Sequence, residues 1–120
     1  MAHAKSVDKA DEVREFPMGR VEIVTVGSTT VTRGTLQPGW RWSECVKPIA
    51  GTESCQVPHN GYAISGQLRI FDDDGTETDI SPGDAYSISP GHDATVVGDE
   101  TFVSVDFSPA MASDYAKPST

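Results

Sequence analysis

The chain has 120 residues, enough for one domain built on one hydrophobic core. It carries 9 Lys+Arg against 18 Asp+Glu, a formal net charge of −9, so neither nucleic acid nor an anionic membrane surface would meet a positive face. No apolar run approaches the ~20 residues of a transmembrane helix, and the opening MAHAKSVDKADEVREF lacks the apolar stretch of a secretory leader. A cytoplasmic protein is expected, and Cys45 and Cys55 fit that compartment better than a disulfide framework.

Residues 1–20 are polar and mixed in charge, with at most a helical turn over Ala10–Glu15, and read as an arm lying on the domain or on a neighbouring subunit. From Val21 the pattern changes. VEIVTV and TTVTRGTL are rich in β-branched residues and are split by Gly27-Ser28, which predicts strand, turn, strand. GWRWSECV, after the Pro38-Gly39 turn signal, reads as a further strand with Trp40 and Trp42 on one face. KPIAGTES is a loop. GYAIS and QLRIF are short strands broken at Gly66, and Asp72-Asp73-Asp74-Gly75 is a hairpin turn rather than a cation loop.

TETDI, AYSIS, DATVV and TFVSVDF complete the strand set, separated by Ser81-Pro82-Gly83-Asp84, Pro90-Gly91 and Gly98-Asp99. In the last of these, Val103, Val105 and Phe107 alternate with Ser104 and Asp106, which predicts the first three buried and the other two wet. Residues 109–120 read as a flexible tail. Many short strands, turns at close intervals and no long amphipathic helix predict an all-β sandwich or barrel over 21–108.

From Gly39 to Phe107 the sequence resembles the cupin superfamily, whose fold is a jelly-roll barrel. That family's first motif carries two His and a Glu before a closing Gly, and its second carries a further His; together these usually hold a divalent metal. Aligned on Gly66, the first motif places Glu53 and Cys55 at the two His positions and His59 at the Glu position. Aligned on Gly83 and Gly91, the second places Ala94 at its His position and Ser89 at that of a Pro, with His92 two residues earlier. A subgroup of small cupins is also similar, through Trp40-Arg41-Trp42-Ser43, Ser54-Cys55, His59 and Pro90-Gly91-His92-Asp93. Its members often carry His where this chain has Cys45.

The resemblance implies a cupin-type barrel with its pocket inside, and the residues supply a donor set for it. Cys45, Cys55, His59 and His92 are N and S ligands suited to a divalent transition metal such as Zn, Fe, Mn or Ni. His59 and His92 are equally candidates for proton transfer, and Trp42, Tyr62 and Tyr86 for the wall of a ligand pocket. Arg41 and Arg69 are candidates for orienting a carboxylate. Buried unreactive cysteines, a Cys45–Cys55 disulfide and Cys–His nucleophilic catalysis remain open alternatives at this level. The expected function is binding of a small organic molecule in the barrel, with metal-assisted isomerisation, cyclisation or oxygenation there. The alternative is a non-catalytic sensor or binding module. Open sheet edges predict a homodimer, with the arm 1–20 as cover.

Overall fold

The computed structural model describes residues 1–118 as two antiparallel sheets closed face to face into a jelly roll. The larger has six strands in the order β1-β2-β3-β9-β4-β7 and the smaller three, β6-β5-β8. The strands are β1 Glu12–Phe16, β2 Gly19–Val26, β3 Thr29–Leu36, β4 His59–Ser65, β5 Gln67–Asp72, β6 Glu77–Ile80, β7 Ala85–Ile88, β8 His92–Val97 and β9 Phe102–Asp106. Val21, Leu36, Ile70 and Phe102 meet between the sheets and are almost fully buried.

Most turns fall where the sequence puts them. The Asp72–Gly75 turn joins β5 to β6, with Gly75 at φ 94° and the Asp74 carboxylate accepting from the Thr76 amide at 2.9 Å. Gly66 matters more. It sits at φ 73° between β4 and β5, and a Cβ there would stand 2.5 Å from the Thr101 carbonyl oxygen. Gly66→Ala is expected to destabilise the domain by about 1–3 kcal/mol, through the forced φ and the contact with backbone. Urea titration measures it, and an unchanged midpoint would contradict the packing described here.

Four readings of the sequence are corrected. The first 20 residues include β1, which pairs along its whole length with β2. The alternation was hidden because its two inward residues are Arg14 and Phe16, one of them charged. GWRWSECV does not continue as a strand. After the single bridge Arg41↔Thr95 it turns into α1, Trp42–Cys45, followed by α2, Lys47–Ala50, which Gly51 closes at φ 77°. The cause lies outside the segment: Asp93 on β8 accepts from the Ser43 amide at 3.0 Å and so caps the first turn of α1.

The tail also folds. Pro109 starts the short helix α3, Pro109–Ser113, and Met111 and Tyr115, one helical turn apart, are both buried. The fourth correction concerns β9, whose faces are the reverse of the expected ones. Phe102, Ser104 and Asp106 point inward and are buried, while Val103 and Val105 are half-buried and Phe107 is 51% exposed. Ser104 and Asp106 are therefore polar groups inside the barrel. Their cost must be met by partners there.

Candidate metal centre

Three segments converge at one end of the barrel. Cys55 lies just ahead of β4, and its backbone forms an isolated antiparallel bridge with His92, the first residue of β8. The Cys55 amide donates to the His92 carbonyl at 2.7 Å, and the Gly91 amide donates to the Cys55 carbonyl at 2.7 Å. Directly opposed residues of such a pair present side chains to the same face. His59 opens β4, four residues beyond Cys55. One donor atom from each of Cys55, His59 and His92 lies within 4.8 Å of the others.

Each imidazole is held through its far nitrogen. His92 Nδ1 is 2.8 Å from the Ser89 carbonyl oxygen, which can only accept, so Nδ1 donates and Nε2 keeps its lone pair. His59 Nδ1 is 3.1 Å from Met111 Sδ and 3.6 Å from Asp106 Oδ2, while its Nε2 stands 3.7 Å from Cys55 Sγ. The rings meet edge to face with centroids 5.1 Å apart. An outer partner on Nδ1, leaving Nε2 for the ion, is the arrangement in which histidines ligate metals, and His59 Nε2 is the atom turned to Cys55.

The donor set fits a metal. Tetrahedral coordination with Zn–S of ~2.3 Å and Zn–N of ~2.0 Å requires S and N about 3.5 Å apart, close to the 3.7 Å between Cys55 Sγ and His59 Nε2. Three protein donors would leave a position for another ligand, as in catalytic rather than structural sites. Burial raises the Cys55 thiol to about 11, so a metal must displace a proton to bind it. Burial, with the neighbouring His59, lowers His92 below its ordinary value and favours the neutral ring that ligation needs.

A pH dependence follows. Cys55 has a folded value above its unfolded one, so its contribution is complete below about pH 9 and lost as pH rises toward 11. His92 has a folded value below its unfolded one, so its contribution is present above the ordinary histidine range and lost as pH falls from that range through the lower folded value. In metal-stripped protein, the difference in stability between wild type and Cys55→Ala is expected to narrow by about 2 kcal/mol between pH 8 and pH 11. A difference that stays constant across that range would contradict the burial of the thiol.

The other candidates divide. Trp42 and Tyr86 line the barrel cavity beside His59 and His92, together with Ala94 at the motif position. Tyr62 does not; it points outward from β4 and is 46% exposed. Cys45 is buried in α1 but lies outside the donor group, and Cys45 and Cys55 are both free, so neither the ligand role for Cys45 nor the disulfide is found. Glu53 is fully exposed beside Lys47. Arg41 pairs with Asp93 at 3.2 Å and packs over Phe71, and Arg69 pairs with Asp79 at 2.7 Å, so both guanidiniums are engaged with the chain's own carboxylates.

Four contributors were not picked out as site residues: Ser104, Asp106, Met111 and Tyr115, all on the cavity wall. Asp106 is 3% exposed; its Oδ1 accepts from the Ser108 amide at 2.8 Å, and its Oδ2 faces His59. The Tyr86 hydroxyl lies against Ser104 and Asp106, and burial raises it above the usual phenol range. A Cβ on Gly61 would stand 2.6 Å from that hydroxyl, so Gly61 makes room for it. The cavity between these groups is about 60 Å³, room for about two water molecules. None of the three donors lines the larger, acidic groove of about 590 Å³ between β6 and β7.

The fold is a cupin-type double-stranded β-helix, with a polar cluster inside the barrel. Solved structures agree on the fold. An uncharacterised conserved protein with a double-stranded β-helix domain from Klebsiella pneumoniae superposes with a TM-score of 0.56 at 22% identity, covering 86% of this chain and 80% of that one. KdgF from Halomonas sp. gives 0.53 at 19% identity over 78% and 80%. A cupin domain from Bordetella pertussis gives 0.53 at 17% identity over 79% and 96%. No family model matches the sequence, and no curated protein does.

Proposed function

We propose that this protein is a metal-dependent cupin that binds a small organic molecule in its barrel and acts on it by isomerisation, cyclisation or oxygenation. One observation carries the reading: Cys55, His59 and His92 bring three donor atoms within 4.8 Å of one another, with both histidines on the wall of a buried cavity. A thiolate with two imidazoles favours Zn or Fe over Mn and Ni. Bound there, the metal would supply a Lewis acid or an O₂ site.

The chain's own groups divide the remaining work. His59 and His92 hold the metal, so the proton-carrying role falls to Asp106 and Tyr86 on the same wall. Asp106 Oδ2 faces His59 at 3.6 Å and is the carboxylate placed to accept a proton. The Tyr86 hydroxyl, kept protonated by burial, serves as a donor. Trp40 lines the cavity and its buried Nε1 has no partner among the described residues, so an oxygen of a bound molecule would satisfy it. Apolar walls from Val21, Leu36, Ile88 and Phe102 exclude bulk water.

Elemental analysis of freshly purified protein tests the reading. About one transition metal per chain is expected; a metal-free protein whose melting temperature ignores added Zn²⁺, Fe²⁺, Mn²⁺ and Ni²⁺ would overturn it. The proposal takes the protein as cytoplasmic, in keeping with two buried free cysteines, and none of its described helices is long and apolar enough to cross a membrane. It also takes it as a homodimer, because β1, β7 and β6 leave open sheet edges. A monomer mass by light scattering at micromolar concentration would contradict that.

A further inference from the structure

The barrel cavity ends at Tyr115. Beyond it lies a second cavity of about 240 Å³, between α1, α2, the 52–57 loop and residues 114–118. Trp42 and Tyr115 line both chambers. His59 and His92 line only the inner one and Cys55 only the outer, so the three donors straddle the partition. Alone, the inner chamber is too small for an organic molecule. Joined, the two come to about 300 Å³, at the lower end of the ~300–1,000 Å³ typical of small-molecule sites.

The partition belongs to a segment that packs Met111 and Tyr115 into the core but has few polar ties to the barrel. Among the described residues, 109–118 make no backbone hydrogen bond to any strand; those recorded run within the segment or to Ser108. One side chain supplies the polar hold. The buried Arg14 guanidinium donates to the carbonyls of Met111 at 3.0 Å, Tyr115 at 2.7 Å and Ala112, and its Nε donates to Glu12 at 2.6 Å. The apolar hold is Met111 against His59, and Tyr115 edge-on to both His59 and Phe16, with centroids at 5.7 and 6.1 Å.

We propose that residues 109–118 form a cover hinged after Ser108 and latched by Arg14, and that a small organic molecule enters by the outer chamber and takes the volume Tyr115 vacates. The identity of the occupant rests on the metal-cupin reading; the cover does not. Its motion is a local opening in which the segment lifts and the strands stay paired. Such an opening exposes the outer chamber and with it Cys55, whereas Cys45 lines neither chamber.

The test is alkylation of metal-stripped protein by iodoacetamide in native buffer, with each adduct located by mass spectrometry. Cys45 and Cys55 are both buried, at 5% and 2% exposure, so equal rates are the result expected of global unfolding alone. The cover predicts that Cys55 reacts about tenfold or more faster than Cys45 in the wild type. It predicts that Arg14→Lys, which cannot span three carbonyls, raises the Cys55 rate about tenfold again and leaves Cys45 unchanged. The wild-type comparison stands even if the variant fails to fold. Equal rates that rise together, or a Cys55 rate indifferent to Arg14, would overturn the cover. A protein that ignores metals yet labels quickly at Cys55 would sink the metal reading alone, and a metal-loaded protein with equal rates the cover alone.

Discussion

Cys55→Ala and His92→Ala are each expected to lower metal affinity at least a hundredfold while leaving the strand content unchanged. Removing one of three protein donors forfeits a direct bond to the ion, whereas loss of an outer partner costs about 10–100-fold. The bridge the two residues share is made by backbone atoms, which alanine retains. Asp106→Asn, which keeps the oxygen that accepts from Ser108 but lowers the charge facing His59, should fall in the milder range. Cys45→Ala should leave metal affinity at the wild-type value. Competition with a chromogenic chelator, alongside far-UV circular dichroism, measures all four. Equal losses for Cys45→Ala and Cys55→Ala would mean that the affinity follows general stability and not ligation.

Phe102→Ala is expected to destabilise the domain by about 3–5 kcal/mol, against about 0.5 kcal/mol or less for Val103→Ala. Phe102 is 2% exposed between the sheets, so its loss removes buried apolar area and leaves a cavity. Its neighbour Val103 is half-buried on the outer face of β9. The two substitutions lie one residue apart and read the orientation of the strand directly. Urea unfolding monitored by tryptophan fluorescence gives both values. A larger cost at Val103 would restore the face assignment that the bare alternation favours.

That reversal shows where sequence reading ends. In TFVSVDF the valines carry the apolar signal, and a half-buried strand normally turns such residues inward. Here the inward face begins with Phe102, and Ser104 and Asp106 follow it in phase because the barrel interior is a polar site as well as a core. The one readable sign was Phe102, two and four residues before the polar pair. Arg14 misled in the same way, a charge on the inward face of β1 whose partners are carbonyls 97 and 101 residues later. Nothing local announces such pairings.

Turns were legible because their chemistry is local. Gly66, Gly75, Gly83 and Gly91 all take positive φ, as the hairpin and loop positions require. Cys55 and His59 are picked out by counting back from Gly66, and His92 only by standing two residues before the position that Gly83 and Gly91 assign to the motif's His; the structure brings the three together. Their company was not legible. Cys45 and Tyr62 have suitable chemistry, but α1 turns the first away from the group and the pleat of β4 turns the second outward. Met111 and Tyr115 showed only a four-residue spacing in a Pro-containing stretch, too little to reveal a helix packed on His59.

X-ray absorption at the edge of the metal found in the purified protein tests the central claim most directly. Coordination by Cys55, His59 and His92 predicts one sulfur at about 2.3 Å and imidazole nitrogens at about 2.0–2.1 Å. In Cys55→Ala the sulfur contribution should vanish while nitrogen remains. A metal shell of nitrogen and oxygen only in the wild type, or a sulfur that survives the loss of Cys55, would contradict the assignment.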